Sequence, residues 1–490
     1  KVLQGGQEVS KYYITINDSD KHQNGQTLDS WERYMLQVRM KYEKGENVDD
    51  ECDKLCELMM TKDEQMLSKI KEYFTFEDYT TIYDRRVGSG LVGGKACGML
   101  LARKIIEKNC PEIYENNLEP DDSFYIGSDL FYTYIVSNDL WDLRVKQRTE
   151  EGYYKYGKEL EEGLKNGTFS DEIKKAFINI LDYFGQSPII VRSSSFLEDG
   201  YGNAFAGKYE SVFCANQGSL EDRLAAFEDA VKVVYSSTMN ISALEYRKLN
   251  NLDDTDEQMG LLVQRVSGSY HGNYLFPTAA GVGFSYSPYS PLPDMDNSKG
   301  MLRLVMGLGT KAVDRTKKDY PRIINLDKPE VTLMKDVKEK HKYSQHYLDV
   351  IDLKNVSLHD IPISEGLDII PRYAKKVLVE HDKEAERMFR DRGQKREIVF
   401  ANCEGIVKNS DFIDKMKTIL KTLETAYDYP VDIEYTLNIG EDNSFNINLL
   451  QCRPLQVSTS TEDIEMPENK NVFFHIKQSS MGMSRKNTID

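Results

Sequence analysis

A chain of 490 residues is too long for a single hydrophobic core, so two to four domains are expected. Hydrophobic residues make up 40% and charged residues 29%, an ordinary globular balance. The net charge of −17 excludes nonspecific binding to nucleic acid through a broad basic face, while leaving room for a local basic pocket. No apolar run approaches the ~18 residues of a membrane span, and no signal-peptide pattern is present. Seven scattered cysteines, an odd number, read as reduced thiols of a cytoplasmic protein. The chain starts at Lys1 rather than Met and ends on SMGMSRKNTID, so it is expected to be part of a longer polypeptide.

Residues 1–80 are charged and helix-rich. Trp31, Tyr34, Met35, Val38 and Tyr42 recur at helical spacing, as do Leu55, Leu58 and Met59, then Met66, Ile70 and Tyr73. These faces are expected to pack against the body of the protein. Cys52 and Cys56 lack companion ligands at zinc spacing and read as packing residues.

Near Arg86 the texture changes to RVGSGLVGGKACGMLLARKII, glycine-rich and then helical. Glycines before a helix let backbone approach a phosphate, and Lys95 after Gly93-Gly94 could reach one. The spacing is not that of a Walker A loop, and a plain turn remains the alternative. A helix is predicted from the candidate cap Ser170 to Gly185, burying Ile173, Ala176, Phe177, Ile180, Leu181 and Phe184.

The next stretch, PIIVRSSSFLEDGYGNAFAGKYES (188–211), is the most informative. A short buried strand delivers Arg192 into a loop of serines, the acidic pair Glu198-Asp199 and glycines. That arrangement presents a guanidinium and backbone N–H groups to phosphate; the alternative is an ordinary strand with a surface arginine. A helix opening on a Ser219/Asp222 capping box is expected to bury Leu220, Leu224, Phe227, Val231 and Val234. From about residue 260 strands follow: LLVQRV, AAGVGFSYS and MLRLVMGLG. Residues 330–425 read as largely helical.

Two last strands, DIEYTLN and SFNINLLQCRP, are joined by the turn GEDN. Gln451 and Arg453 are two apart and so share a face. With Glu434 on the partner strand, a carboxylate and an amide oxygen could hold Mg²⁺ beside an arginine that stabilises phosphoryl charge. The other reading is a surface hairpin with a Glu434–Arg453 ion pair.

In order, LVGGKACGML, the Arg192 stretch, LVQRV, AGVGFS, GLGTKAVDR and DIEYTLN…LLQCRP resemble the nucleotide-binding part of the phosphoenolpyruvate synthase and pyruvate phosphate dikinase family, over residues 86–456. The resemblance implies an α+β, ATP-grasp-like fold of two lobes: a helical extension at 1–80, lobes at 81–258 and 259–456, and a linker or further domain at 457–490. It implies that Lys95 touches the phosphates or the adenine-side pocket and that Arg192 binds the phosphates. Gly207 and Ser211 would belong to a loop covering them, and Gln264 would lie near the adenine. Glu434 and Gln451 would hold Mg²⁺, and Arg453 would contact the γ-phosphate.

The pattern departs from the family at Ser195, which takes an alanine place, at Ser211, which takes a threonine place, and in a longer Glu434–Gln451 spacing. None of the seven histidines stands in the Thr-Ser-His-Ala-like context of a phosphate-accepting histidine, and His271 reads as a loop residue. The expected activity is therefore ATP-dependent phosphotransfer of the dikinase type. The expected partners are ATP, a phosphohistidine domain or subunit outside this chain, and a small-molecule acceptor, with neither nucleic acid nor membrane. A self-sufficient ATP-grasp kinase or ligase and a non-catalytic ATP-binding module are the alternatives.

Overall fold

The computed structural model describes residues 30–455, apart from 202–204, 206, 288–293, 314–318, 332–333 and 335. The expected linker at 457–490, Gly202, His22 and His475 lie outside the described residues. Four helices, Ser30–Glu43, Asp49–Met59, Glu64–Tyr73 and Phe76–Asp84, come first among the described residues. Met35, Val38, Leu55, Met59, Met66 and Ile70 turn inward as their spacing predicts, and Cys56 is buried among them. Tyr42 and Leu58 stay exposed, because the helices bury only a narrow seam.

The chain then lays down β1 (Arg86–Val87), β2 (Ser123–Ile126), β3 (Ile189–Ser195), β4 (Ser211–Cys214) and β5 (Met259–Arg265). A hairpin of β6 (Ser269–His271) and β7 (Tyr274–Phe276) leads to β8 (Ala279–Phe284), β9 (Met301–Met306) and β10 (Arg322–Asn325). β11 (Tyr347–Asp352), β12 (Ser357–Pro362), β13 (Val379–His381) and β14 (Val399–Ala401) follow, and β15 (Val431–Ile439) and β16 (Phe445–Pro454) close the described chain.

These strands form two five-stranded sheets, a four-stranded sheet (β12-β11-β7-β6) and the pair β13-β14 in a mixed α+β architecture. The first has the order β1-β2-β5-β3-β4, antiparallel except for β1 and β2. The second, β10-β9-β8-β15-β16, is antiparallel throughout. The helices Asp171–Phe184 and Leu220–Ser237 cover the first sheet, enclosing Phe131, Tyr134, Phe177, Phe227 and Tyr235. A second core joins Ile433 and Leu437 of β15 to Ile105 and Met59. Among the described residues no helix is long and apolar enough to cross a membrane.

Some local expectations change. Residues 330–425 hold helices but also β11–β14. β11 (YLDVID) is six residues long and charged, and its strand character comes from pairing with β12 and β7. His271 is the last residue of β6, its ring 4.3 Å from that of Phe276, rather than a loop residue. Ser170 occupies the cap position without making a side-chain capping bond, whereas the Ser219/Asp222 box forms in both directions. Leu220 of that helix is exposed, and Leu224 is half-buried.

Candidate functional site

Glycines set the spacing around the site. The N–H groups of Ser89 and Gly90 donate to the two Asp129 carboxylate oxygens at 2.9 and 2.8 Å, so this loop already holds an anion of its own. A Cβ at Gly93 would stand 1.6 Å from the Ser194 carbonyl oxygen, and one at Gly94 1.8 Å from that of Glu198. At Gly98 it would stand 2.1 Å from the Cys452 carbonyl oxygen. The glycines thus let the helix Gly94–Asn109 lie directly on the loop after β3 and on β16. The Val92 and Gly93 N–H groups donate to the Met59 and Met60 carbonyls, and the Ala96 N–H to Ser194 Oγ. These contacts give the glycines a packing role. What the motif brings to the site is Lys95.

A cleft of about 470 Å³ lies between the two sheets, within the range of small-molecule sites. Lys95, Arg192, Gly207, Ser211, Gln264, Glu434, Gln451 and Arg453 all line it. Arg192 and Ser211 face each other as paired residues of β3 and β4. Gly207 sits in the loop before β4 with φ +64° and open space around it. Gln264 is on β5, paired with Ile190 of β3. Glu434 and Gln451 are direct partners across β15 and β16, at a bulge between Glu434 and Tyr435.

Side chains knit the cleft floor. Arg192 Nη2 donates to Gln451 Oε1 at 2.9 Å and to Glu434 Oε2, and its Nη1 donates to the Leu450 carbonyl at 3.2 Å. Lys95 Nζ donates to Gln451 Oε1 at 3.2 Å and to Asp199 Oδ2 at 3.3 Å, with Glu198 at 3.7 Å. Gln451, fully buried, returns a bond from Nε2 to Asp199 Oδ2 at 2.8 Å. Arg453 Nε donates to both oxygens of Asp432 at 2.8 and 3.1 Å, and its Nη1 lies 3.5 Å from Asp199. Arg453 thus pairs with Asp432 and Asp199 rather than with Glu434, which Arg192 takes.

Three cations therefore face four carboxylates within one cleft. Burial pushes the Asp432 carboxyl up to about 6, against the opposing pull of Arg453. Burial acts the same way on Glu434, but Arg192, Lys95 and Arg453 together hold it below the usual carboxylate range. Burial raises Glu198 despite Lys95.

The acidic pair Glu198-Asp199 stands out in the sequence but without a partner, and Asp432 is a further site residue that the motifs did not single out. Asp432 was legible, since it lies two residues before Glu434 on one strand, as Gln451 lies two before Arg453 on the other. Asp199 was not, because its left-handed backbone (φ 59°) and its reach to β16 depend on the loop's tertiary path.

The chain matches the family described as "Pyruvate phosphate dikinase, AMP/ATP-binding domain" over residues 89–472. It is also similar to a Bacillus subtilis (strain 168) protein named "Uncharacterized phosphotransferase YvkC", 25% identical over 367 residues. That match takes in 74% of this chain and 34% of the relative, so the chain spans about a third of that protein's length.

Proposed function

The chain belongs to the pyruvate phosphate dikinase AMP/ATP-binding family, and we propose that it is the ATP-binding part of a dikinase-type phosphotransferase, with an ATP-grasp-like arrangement of two lobes, 81–258 and 259–456. A single observation carries this reading: Lys95, Arg192 and Arg453, distant in sequence, meet Glu434 and Gln451 in one cleft between two sheets.

Triphosphate would enter by partner exchange. Each basic side chain is now held by carboxylates, and phosphate oxygens offer it the same charge-assisted bonds. Arg192 and Lys95 would hold the phosphates, and Arg453 the phosphoryl group being transferred. Gly207 and Ser211 would cover them. Catalysis would be positioning and charge neutralisation, as is general for phosphoryl transfer.

The residues fit a hard cation. Glu434 Oε2 and Gln451 Oε1 already converge on one cationic nitrogen, Arg192 Nη2, and both are the oxygen ligands Mg²⁺ prefers. Among the described residues no group of three or more His, Cys, Asp or Glu side chains is placed to bind a metal, so phosphate and water would complete the shell. Glu434 and Gln451 would hold Mg²⁺, whose charge would offset that developing on the phosphate oxygens. The phosphoryl group would pass to a histidine of another domain or subunit and then to a small-molecule acceptor such as pyruvate.

The test is calorimetric titration of the chain with Mg-ATP, followed by incubation with ATP labelled at the β or γ position. We expect saturable binding that Arg192→Met and Arg453→Ala each weaken at least tenfold. Absence of binding at millimolar Mg-ATP, or unchanged affinity in both variants, would sink the assignment.

A further inference from the structure

The four helices between residues 30 and 84 lie ahead of the family match, which begins at residue 89. The turn 59–63, between the second helix and the third, nevertheless grips the cleft floor from two sides. At one end the Met59 and Met60 carbonyls accept the Val92 and Gly93 N–H groups at 2.8 and 3.0 Å, just before Lys95. At the other end Asp63 accepts an N–H on each carboxylate oxygen. Oδ1 caps the third helix by taking the Met66 N–H at 3.0 Å. Oδ2 takes the Tyr201 N–H at 2.9 Å, two residues after Asp199.

That second contact needs a close approach. A Cβ at Gly200 would stand 2.4 Å from Asp63 Oδ2, so glycine is what admits the carboxylate. Lys62 Nζ lies 5.4 Å from the centre of the Phe196 ring, and the Tyr201 hydroxyl donates to the Tyr427 carbonyl at 2.8 Å. The loop 196–201 is thus tied at both ends, with Asp199 between them in left-handed backbone. Asp199 is fully buried and meets Lys95 Nζ, Gln451 Nε2 and Arg453 Nη1 at 3.3, 2.8 and 3.5 Å. Whichever partners Lys95 and Arg453 give up to phosphate, the position of Asp199 decides where these three side chains stand.

We propose that Asp63 is a positioning residue of the nucleotide site. By holding the Tyr201 N–H it places Asp199, and through Asp199 it places Lys95, Gln451 and Arg453, so the helical extension is an integral part of the cleft. This inference rests on the nucleotide reading above. A hydrogen bond to a carboxylate shifts an equilibrium by roughly tenfold to a hundredfold. The low end is expected here, because Lys62 and the Tyr201 hydroxyl still hold the loop.

The experiment measures the Mg-ATP dissociation constant and thermal unfolding of the full chain as wild type, Asp63→Ser, Gly200→Ala and Lys69→Ala. Serine caps a helix as well as aspartate does, but its single oxygen serves the cap and leaves the Tyr201 N–H without a partner. Gly200→Ala breaks the same bond from the loop side, and serves where Asp63→Ser fails to fold. Lys69, ion-paired with Asp428 at 2.6 Å, is the control within the extension. Asp63→Ser and Gly200→Ala should each weaken Mg-ATP binding about tenfold, and Lys69→Ala less than about twofold. A double-mutant cycle reads the route: on an Asp199→Asn background, Asp63→Ser should cost less than about twofold more, whereas a merely structural role would add in full. Folded Asp63→Ser and Gly200→Ala chains that keep wild-type affinity, or full additivity in the cycle, would overturn the proposal and leave the nucleotide site standing. A wild type that binds no Mg-ATP would overturn both.

Discussion

Replacing Arg192 by methionine keeps most of the side-chain volume and removes the charge. In the folded protein Arg192 is 7% exposed and ion-paired with Glu434. At ~3 Å and an effective dielectric of about 20, the gross attraction is roughly 5 kcal/mol, and removing one partner of a buried pair commonly costs about 3–5 kcal/mol. Here water reaches Glu434 from the cleft, its side chain being 21% exposed, and Lys95 and Arg453 still act on it. The loss should therefore fall near the low end, about 2–3 kcal/mol. Adding Glu434→Gln removes the stranded charge and should recover most of that stability. Measured at saturating magnesium, the double variant should still bind ATP roughly tenfold or more weakly than Glu434→Gln alone, because a guanidinium–phosphate contact worth about 1.5–3 kcal/mol is gone. Thermal unfolding and calorimetry on the wild type and the single and double variants separate the two effects. If the double variant regained nucleotide affinity together with stability, Arg192 would be a structural ion-pair residue and the phosphate role assigned to it would be wrong.

Four further outcomes are expected. Asp432, with its carboxyl near 6 in the folded chain against about 4 unfolded, binds a proton more readily when folded; its contribution to stability should rise by about 1 kcal/mol as pH falls from 7 to 5, and Asp432→Asn should flatten the denaturation midpoint over that window. Gly98→Ala should force the helix Gly94–Asn109 off β16, costing at least about 2 kcal/mol and weakening Mg-ATP binding as Gln451 and Arg453 shift, both read on the same sample. Asp129→Ala strands the Ser89 and Gly90 N–H groups and should cost roughly 2–4 kcal/mol of stability while leaving Mg-ATP affinity within about twofold; a large affinity loss would return the glycine loop to the ligand. Glu434→Gln should raise the magnesium concentration needed for half-maximal ATP binding by about tenfold, since a neutral amide replaces the carboxylate ligand; an unchanged magnesium dependence would place the metal elsewhere.

Local chemistry made much of this protein readable from its residues in order. The Ser219/Asp222 box, the apolar face from Ile173 to Phe184 and the alternation in the Glu434 hairpin are short-range patterns, set by neighbours three, four or two positions away. The choice of Lys95, Arg192, Gln264, Glu434, Gln451 and Arg453 as site residues also rested on local features and on the order of motifs, and the fold brings all of them to one cleft.

Long-range packing decided the rest. Which carboxylate meets Arg453, the burial of Asp199 against β16 and the filling of the glycine loop by Asp129 depend on segments tens to hundreds of residues apart. β11 and β12 are strands because each finds a partner edge, which their charged sequences do not announce. The partners of Arg192 are the clearest case: a guanidinium can pair with any carboxylate, and only the meeting of β3 with β15 and β16 gives it Glu434 and Gln451.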